Sequence, residues 1–211
     1  MAIQTVLFDL DGTILDSNEL IYASFLHTFN HYKYSFTKEE IMSFNGPPLI
    51  ETFTNIDPER AELMIETYRK HNHEVHHDYV KLFPNVIETI EVLKDNQIQM
   101  GIVTAKMRES VNMGLEITGL DRYFETIVTI DDVTHPKPHP ESVIKAMTAL
   151  NGEPSTTLMV GDNYHDIQAG QNAGVRTAGV AWSLKGRDFL ASYHPTYMLE
   201  DMRDLLEIVE V

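Results

Sequence analysis

The first pattern along the chain is a short unbroken run, Thr5-Val6-Leu7-Phe8. Four such residues in a row predict a strand buried on both faces. Similar runs predict strands at Ile98–Thr104, Thr126–Ile130, Thr157–Gly161 and Arg176–Ala181. Between them, apolar residues recur at helical spacing over Val86–Asp95, Arg108–Thr118, Glu141–Leu150 and Ile167–Ala173. Gly119 and Gly174 follow two of these helices, where a left-handed terminal residue is expected, and Pro140 suits the first turn of a third. Strands alternating with helices imply right-handed crossovers and a mostly parallel sheet, so the expected class is α/β.

From about residue 16 to residue 81 the alternation stops and the pattern is helical throughout. Glu19–His31 is amphipathic, with Leu20, Phe25, Leu26 and Phe29 apolar. Thr37-Lys38-Glu39-Glu40 has the spacing of a capping box. Asp57-Pro58 is expected to start one long helix reaching about His77, with Asp57 as its N-cap. Gly46-Pro47-Pro48 forms a rigid loop inside this stretch. The expected organisation is a Rossmann-like parallel-sheet core, residues 1–15 and 82–211, interrupted by an all-helical cap domain, residues 16–81.

Composition narrows the functional classes. A formal net charge of -16 argues against nucleic acid, whose affinity comes mainly from phosphate neutralisation, and against anionic membrane surfaces. No apolar run approaches the roughly 20 residues that span a bilayer. Met1 to Phe8 carries no cationic segment, and Asp9 and Asp11 follow at once, so a signal peptide is not expected. With no cysteine there is neither a disulfide framework nor thiol chemistry, and a cytoplasmic location is expected. A small phosphate substrate stays compatible with the charge if a metal and a few cations reverse the field locally.

The strongest chemical signal is Asp9-Leu10-Asp11-Gly12-Thr13, directly after the first buried strand. In open parallel sheets, ligands bind beyond the carboxyl ends of the strands. Two acids placed there are costly unless something pairs with them, and a divalent cation such as Mg2+, which prefers hard oxygen ligands, would do so. Gly12 permits a tight turn and a close approach to phosphate. The plainer reading is that Asp9 and Asp11 punctuate a turn. Gly161-Asp162-Asn163-Tyr164-His165-Asp166 places more carboxylates after another strand, although by itself it reads first as a helix N-cap and first turn. Thr104 ends a third strand, and Lys137 stands between Pro136 and Pro138, whose rigidity can aim a cation. Either residue alone would ordinarily be structural.

Taken in order, these four elements resemble the four-motif pattern of the haloacid-dehalogenase superfamily. The helical insert is similar to the cap of the subgroup whose cap follows the first motif. The resemblance covers the whole chain and implies a phosphohydrolase in which Asp9 attacks phosphorus and is transiently phosphorylated. Asp11 would protonate the leaving group and then activate water. Thr104 and Lys137 would hold the phosphoryl group. Asp9, Asp11 through its backbone carbonyl, and Asp162 would ligate Mg2+, with Asp166 supporting them. Gly12, Thr13, Gly46, Ala105 and Lys106 would contact substrate. An acid at the second motif position separates the phosphatases from the dehalogenases.

A closer resemblance lies in Asn45-Gly46-Pro47-Pro48-Leu49, Tyr68-Arg69-Lys70-His71-Asn72-His73-Glu74, Val111-Asn112-Met113-Gly114-Leu115 and Gly161 through Ile167. These segments look like the bacterial inorganic pyrophosphatases of haloacid-dehalogenase type, a group associated with removing the pyrophosphate formed when phosphorylated HPr is dephosphorylated. Phosphoglycolate phosphatases share the cap and all four motifs, so pyrophosphate and a small phosphomonoester are both expected candidates for substrate. A phosphomutase and a non-catalytic binding module are remoter readings, the latter disfavoured because Asp9 and Asp11 are both present. His71, His73, His76 and His77 are expected to pack or face solvent rather than hold zinc, since no surrounding acid or cysteine pattern supports a site.

Overall fold

The computed structural model describes residues 2–211. Along the chain, β1 (Thr5–Phe8) and β2 (Leu15–Asp16) lead into α1 (Asn18–Tyr32), α2 (Lys38–Ser43), α3 (Leu49–Ile56), α4 (Ala61–Glu74) and α5 (His76–Tyr79). There follow β3 (Lys81–Leu82), α6 (Val86–Asp95), β4 (Gln99–Val103), α7 (Arg108–Thr118), β5 (Thr126–Val128), α8 (Glu141–Ala149) and β6 (Thr157–Gly161). The chain ends with α9 (Tyr164–Asn172), β7 (Arg176–Val180), α10 (Arg187–Ala191), β8 (Tyr197–Leu199) and α11 (Asp204–Val209). Two compact units result: one runs through Asp16 and resumes over Lys81–Val211, the other is Ser17–Val80. No described helix is long and apolar enough to cross a membrane.

In the α/β unit, six strands form one sheet in the order β5-β4-β1-β6-β7-β8, every neighbouring pair parallel. The apolar run of β1 is central, and all four of its residues are buried, as a strand covered by helices on both faces requires. Leu7, Val103, Val128, Val143, Met147, Leu150 and Met159 pack in one cluster beside it. Burying each large apolar side chain there contributes about 1.5–3 kcal/mol relative to exposing it. Two strands stop short of their apolar runs. β4 ends at Val103, leaving Thr104 outside the strand, and β5 ends at Val128, where Thr129 and Asp132 cap a tight turn reciprocally. Helix α9 begins three residues before Ile167, because Asn163 and Asp166 form a capping box at its start.

The helical unit folds around Phe25, Phe29, Ile41, Phe53, Met64 and Tyr68. Phe25 lies at the centre, 4.8 Å from the ring of Tyr68 and 5.6 Å from that of Phe53. The box at Thr37 and Glu40 forms with both reciprocal bonds. The single long helix from Asp57 to His77 does not. Asp57 instead terminates α3 in an extended conformation, and its carboxylate ties down a turn by accepting from the Arg60 N–H at 3.1 Å, the Arg60 guanidinium at 2.6 Å and the Tyr34 hydroxyl at 2.7 Å. That turn delays α4 to Ala61, and a break at Val75 separates α5, whose first residue, His76, is fully buried. His71 stacks on His27 at 4.3 Å.

Candidate active site

Because β1 lies between β4 and β6, the residues that follow these three strands emerge side by side at one edge of the sheet. Phe8 is in register with Ile102 and Val160, so Asp9, Val103 and Gly161 occupy the next level. The Asp9 N–H donates to the Val160 carbonyl at 2.8 Å, and the Thr104 N–H to the Val128 carbonyl at 2.9 Å. Asp9 and Thr104 are therefore set by the last hydrogen bonds of the sheet, and Asp162 directly follows Gly161, the last residue of β6. This is also the place where the strand order reverses, the usual ligand position in such sheets.

Two glycines let the carboxylates close in. Gly12 has φ +84°, a left-handed conformation, and a methyl group built on it would collide with the Asp162 carboxylate. A methyl group on Gly161 would collide with that of Asp166. Both positions need the absence of Cβ, and at Gly12 the backbone needs it as well.

Lys137 is the hub. Its buried ammonium donates to Asp9 Oδ1 at 2.7 Å, to Asp166 Oδ1 at 2.6 Å and to the Val103 carbonyl at 2.9 Å, which uses all three of its protons. Asp166 Oδ2 accepts the Asn163 N–H at 3.0 Å. Asp166 thus serves the start of α9 and anchors Lys137 at once. The other oxygen of Asp9 faces the buried Thr13 hydroxyl at 3.5 Å.

A second cation lies close by. Lys106 donates to Asp11 Oδ1 at 2.8 Å, and its backbone N–H donates to the Thr104 hydroxyl oxygen at 3.1 Å. That bond uses one lone pair of the Thr104 oxygen and leaves its hydroxyl proton available to another acceptor. Ala105, between them, is exposed. Gly46 lies in the helical unit, between α2 and α3, and is not carried by these strand ends.

The acids outnumber the cations here, and burial makes that costly. Burial pushes the Asp9 carboxyl up to about 7; Lys137 opposes the rise, and Asp166 and Asp11 add to it. Asp162 is pushed well above the usual carboxylate range by burial and then by Asp9 and Asp166. Ligand oxygens of Asp9, Asp162 and Asp166 lie within 4.8 Å of one another. Three converging buried carboxylates, two of them with raised proton affinity at Asp9 and Asp162, fit a hard divalent cation such as Mg2+. The carboxylate of Asp11 is outside that group and is paired with Lys106.

Some participants are invisible to sequence reasoning. The Ser183 hydroxyl, in the loop after β7, donates to the Asp162 backbone carbonyl at 2.6 Å and so fixes the peptide that follows β6. Lys185, in the same loop, is coupled electrostatically to Asp162, and burial holds its ammonium below the ordinary lysine range. Both lie about twenty residues from the motif they serve, in a stretch without a spacing signal. Asn163 is the N-cap of α9 and forms a reciprocal capping box with Asp166.

A model of the haloacid dehalogenase-like hydrolases matches residues 6–180. The chain belongs to this family. Pyrophosphatase PpaX of Oceanobacillus iheyensis is 55% identical over 209 residues, 99% of this chain and 98% of the relative. Pyrophosphatase PpaX of Anoxybacillus flavithermus is 54% identical over 100% of this chain and 99% of the relative. A solved structure from Bacteroides fragilis, described as a haloacid dehalogenase-like hydrolase, superposes with a TM-score of 0.90 at 27% identity, covering 96% of this chain and 99% of that one. The chain is a phosphohydrolase of the haloacid dehalogenase-like type. Hydrolases of this family generally use Mg2+, and Asp9, Asp162 and Asp166 are a carboxylate cluster that could hold such an ion.

Proposed function

We propose that this haloacid dehalogenase-like hydrolase cleaves inorganic pyrophosphate to phosphate through a phosphorylated Asp9. The observation that carries the mechanism is the Lys137 ammonium between Asp9 and Asp166, which holds one carboxylate oxygen of Asp9 in place while the other faces Thr13. The choice of pyrophosphate is supported by full-length relatives at 50–55% identity that carry the name pyrophosphatase.

An Asp9 oxygen attacks phosphorus, and the bond from that phosphorus to the bridging oxygen breaks. The departing phosphate takes a proton from Asp11. In the second step Asp11 removes a proton from water, the water oxygen attacks the phosphorus, the bond from phosphorus to the Asp9 oxygen breaks, and phosphate leaves as the Asp9 carboxylate is restored. Thr104 donates its hydroxyl proton to a phosphoryl oxygen, and Lys137 offsets the charge between Asp9 and the phosphoryl group. Lys106, beside Asp11, offers its charge to the leaving phosphate, while Gly12, Thr13 and Ala105 line the strand ends that receive the substrate. Bound at Asp9, Asp162 and the Asp11 carbonyl, with Asp166 in support, Mg2+ would neutralise phosphoryl charge and orient the group. Residues 16–81 are assigned the family's helical cap.

A panel of pyrophosphate, phosphoglycolate and hexose phosphates under saturating Mg2+ tests the assignment. Pyrophosphate is expected to give the highest kcat/KM. Equal or better turnover of phosphoglycolate would reject pyrophosphate as the substrate and leave the phosphohydrolase chemistry standing.

A further inference from the structure

The loop that carries Lys137 holds a second group of metal-ligating side chains, apart from the carboxylates around Asp9. His135 and His139 flank that lysine in His135-Pro136-Lys137-Pro138-His139-Pro140, and Glu141 opens α8 directly afterwards. One candidate ligand atom from each of His135, His139 and Glu141 lies within 4.8 Å of the other two, and the two imidazole centroids are 4.6 Å apart.

The three groups are ordered in advance. Glu141 Oε1 accepts the Thr134 N–H at 3.1 Å and pairs with the Lys145 ammonium at 3.1 Å. Its Oε2 accepts the His135 N–H at 3.0 Å and stands 3.2 Å from His135 Nδ1. The His139 N–H donates to the Pro136 carbonyl at 3.0 Å, closing the turn, and three prolines restrict its backbone. The rings of His135 and His139 face solvent, so an ion can reach them without opening the fold. The bond from the Glu141 N–H to His139 Nδ1, at 3.3 Å, is long, and a metal ion on that nitrogen would replace it at small cost.

We propose that His135, His139 and Glu141 form a second cation site, suited to a Zn2+-class transition ion and separate from the carboxylate centre around Asp9. Two imidazoles and one carboxylate are a donor set that zinc accepts with a position left for water, whereas Mg2+ prefers oxygen alone. The two sites therefore sort ions by hardness. Lys145 competes for Glu141, which keeps the site weaker than a closed structural zinc centre. Lys137 stands between the two histidines, so an ion bound there braces the loop whose ammonium holds Asp9 and Asp166, and occupancy is felt in turnover. That last link rests on the active-site reading above; the binding itself does not.

The test is calorimetric titration of Zn2+ into the full chain in excess Mg2+, with histidine-ring NMR signals followed in parallel. One Zn2+ per chain is expected, moving the ring signals of His135 and His139 together. Affinity should fall at least about tenfold in His135→Ala, His139→Ala and the milder His139→Asn. Mg2+-supported turnover without Zn2+ should be unchanged in all three, which also shows that they fold. No Zn2+ uptake in excess Mg2+, or equal affinity in wild type and variants, overturns the site. Added Zn2+ is expected to alter wild-type turnover more than that of His139→Ala; equal effects would assign the change to the carboxylate centre and overturn the link through Lys137.

Discussion

Lys106 Nζ donates a 2.8 Å hydrogen bond to Asp11 Oδ1 across 95 positions of sequence. The two side chains are only 14% and 18% exposed, so the pair is shielded from much of the screening that weakens surface ion pairs. The same residue is tied through its backbone N–H to the Thr104 hydroxyl. Lys106 therefore stands next to the proposed acid and next to a proposed phosphoryl contact. Removing its charge should weaken stabilisation of a departing phosphate more than of a departing glycolate. Lys106→Ala is expected to lower kcat/KM for pyrophosphate by about tenfold or more, and that for phosphoglycolate by less. Equal losses on both substrates would confine Lys106 to the upkeep of Asp11.

Replacing the proposed nucleophile separates folding from chemistry. Asp9→Asn keeps the side-chain shape, and Lys137 retains Asp166 and the Val103 carbonyl as partners. The variant should fold, by circular dichroism and thermal melting, and lose turnover by about a thousandfold or more. Turnover within about tenfold of wild type in a folded variant would remove Asp9 from the role of nucleophile.

Proton and metal should compete at the strand ends. The Asp9 carboxyl is raised from 3.8 to about 7, chiefly by burial, and Asp162 is raised as well. A carboxyl whose folded value lies above its unfolded value costs nothing while both states are protonated, below 3.8. The cost grows as pH rises toward 7, because the unfolded chain ionises freely and the folded one does not. The metal-free protein should therefore lose stability over that interval. Mg2+ requires the ionised carboxylates, so the rise in Tm that it produces should be larger at about pH 8 than at about pH 5. A Mg2+ effect independent of pH would contradict this account.

Gly12→Ala tests the close approach of the first and last motifs. Alanine meets both an unfavourable φ of +84° and the Asp162 carboxylate. Destabilisation of about 2 kcal/mol is expected, a fall in Tm of roughly 4–8 °C for a chain of this size. Weaker Mg2+ binding should accompany it, since Asp162 must move. Unchanged Tm and unchanged Mg2+ affinity together would show that the turn relaxes freely.

The contrast between α6 and α4 shows where local pattern suffices. Val86–Asp95 was readable to its ends because its periodicity is uninterrupted and its buried face, Val86, Thr89, Ile90 and Leu93, repeats at helical spacing. The helix predicted from Asp57 began late: the Asp57 carboxylate does take the Arg60 N–H as an N-cap would, but it also holds the Arg60 guanidinium and the hydroxyl of Tyr34, which lies 23 residues earlier, in a separate turn. The short pairing of β2 with β3 carries too few residues for any periodicity to register.

What the sequence alone determined is the succession of strands and helices, and that Asp9, Thr104 and Asp162 each follow a buried strand. Continuous apolar runs and glycine turns are local, and they specify such positions without knowledge of distant residues. Tertiary structure alone decided who faces whom. Strand order puts β1 between β4 and β6, and only then does Lys137, 128 residues from Asp9 and 29 from Asp166, come within hydrogen-bond reach of both. The reach of Ser183 to the Asp162 backbone and of Lys106 to Asp11 has the same origin. A lysine between two prolines has the same local preferences in a solvated loop as at this hub. The difference lies in two buried carboxylates whose charge it offsets, and they meet it only when the sheet assembles.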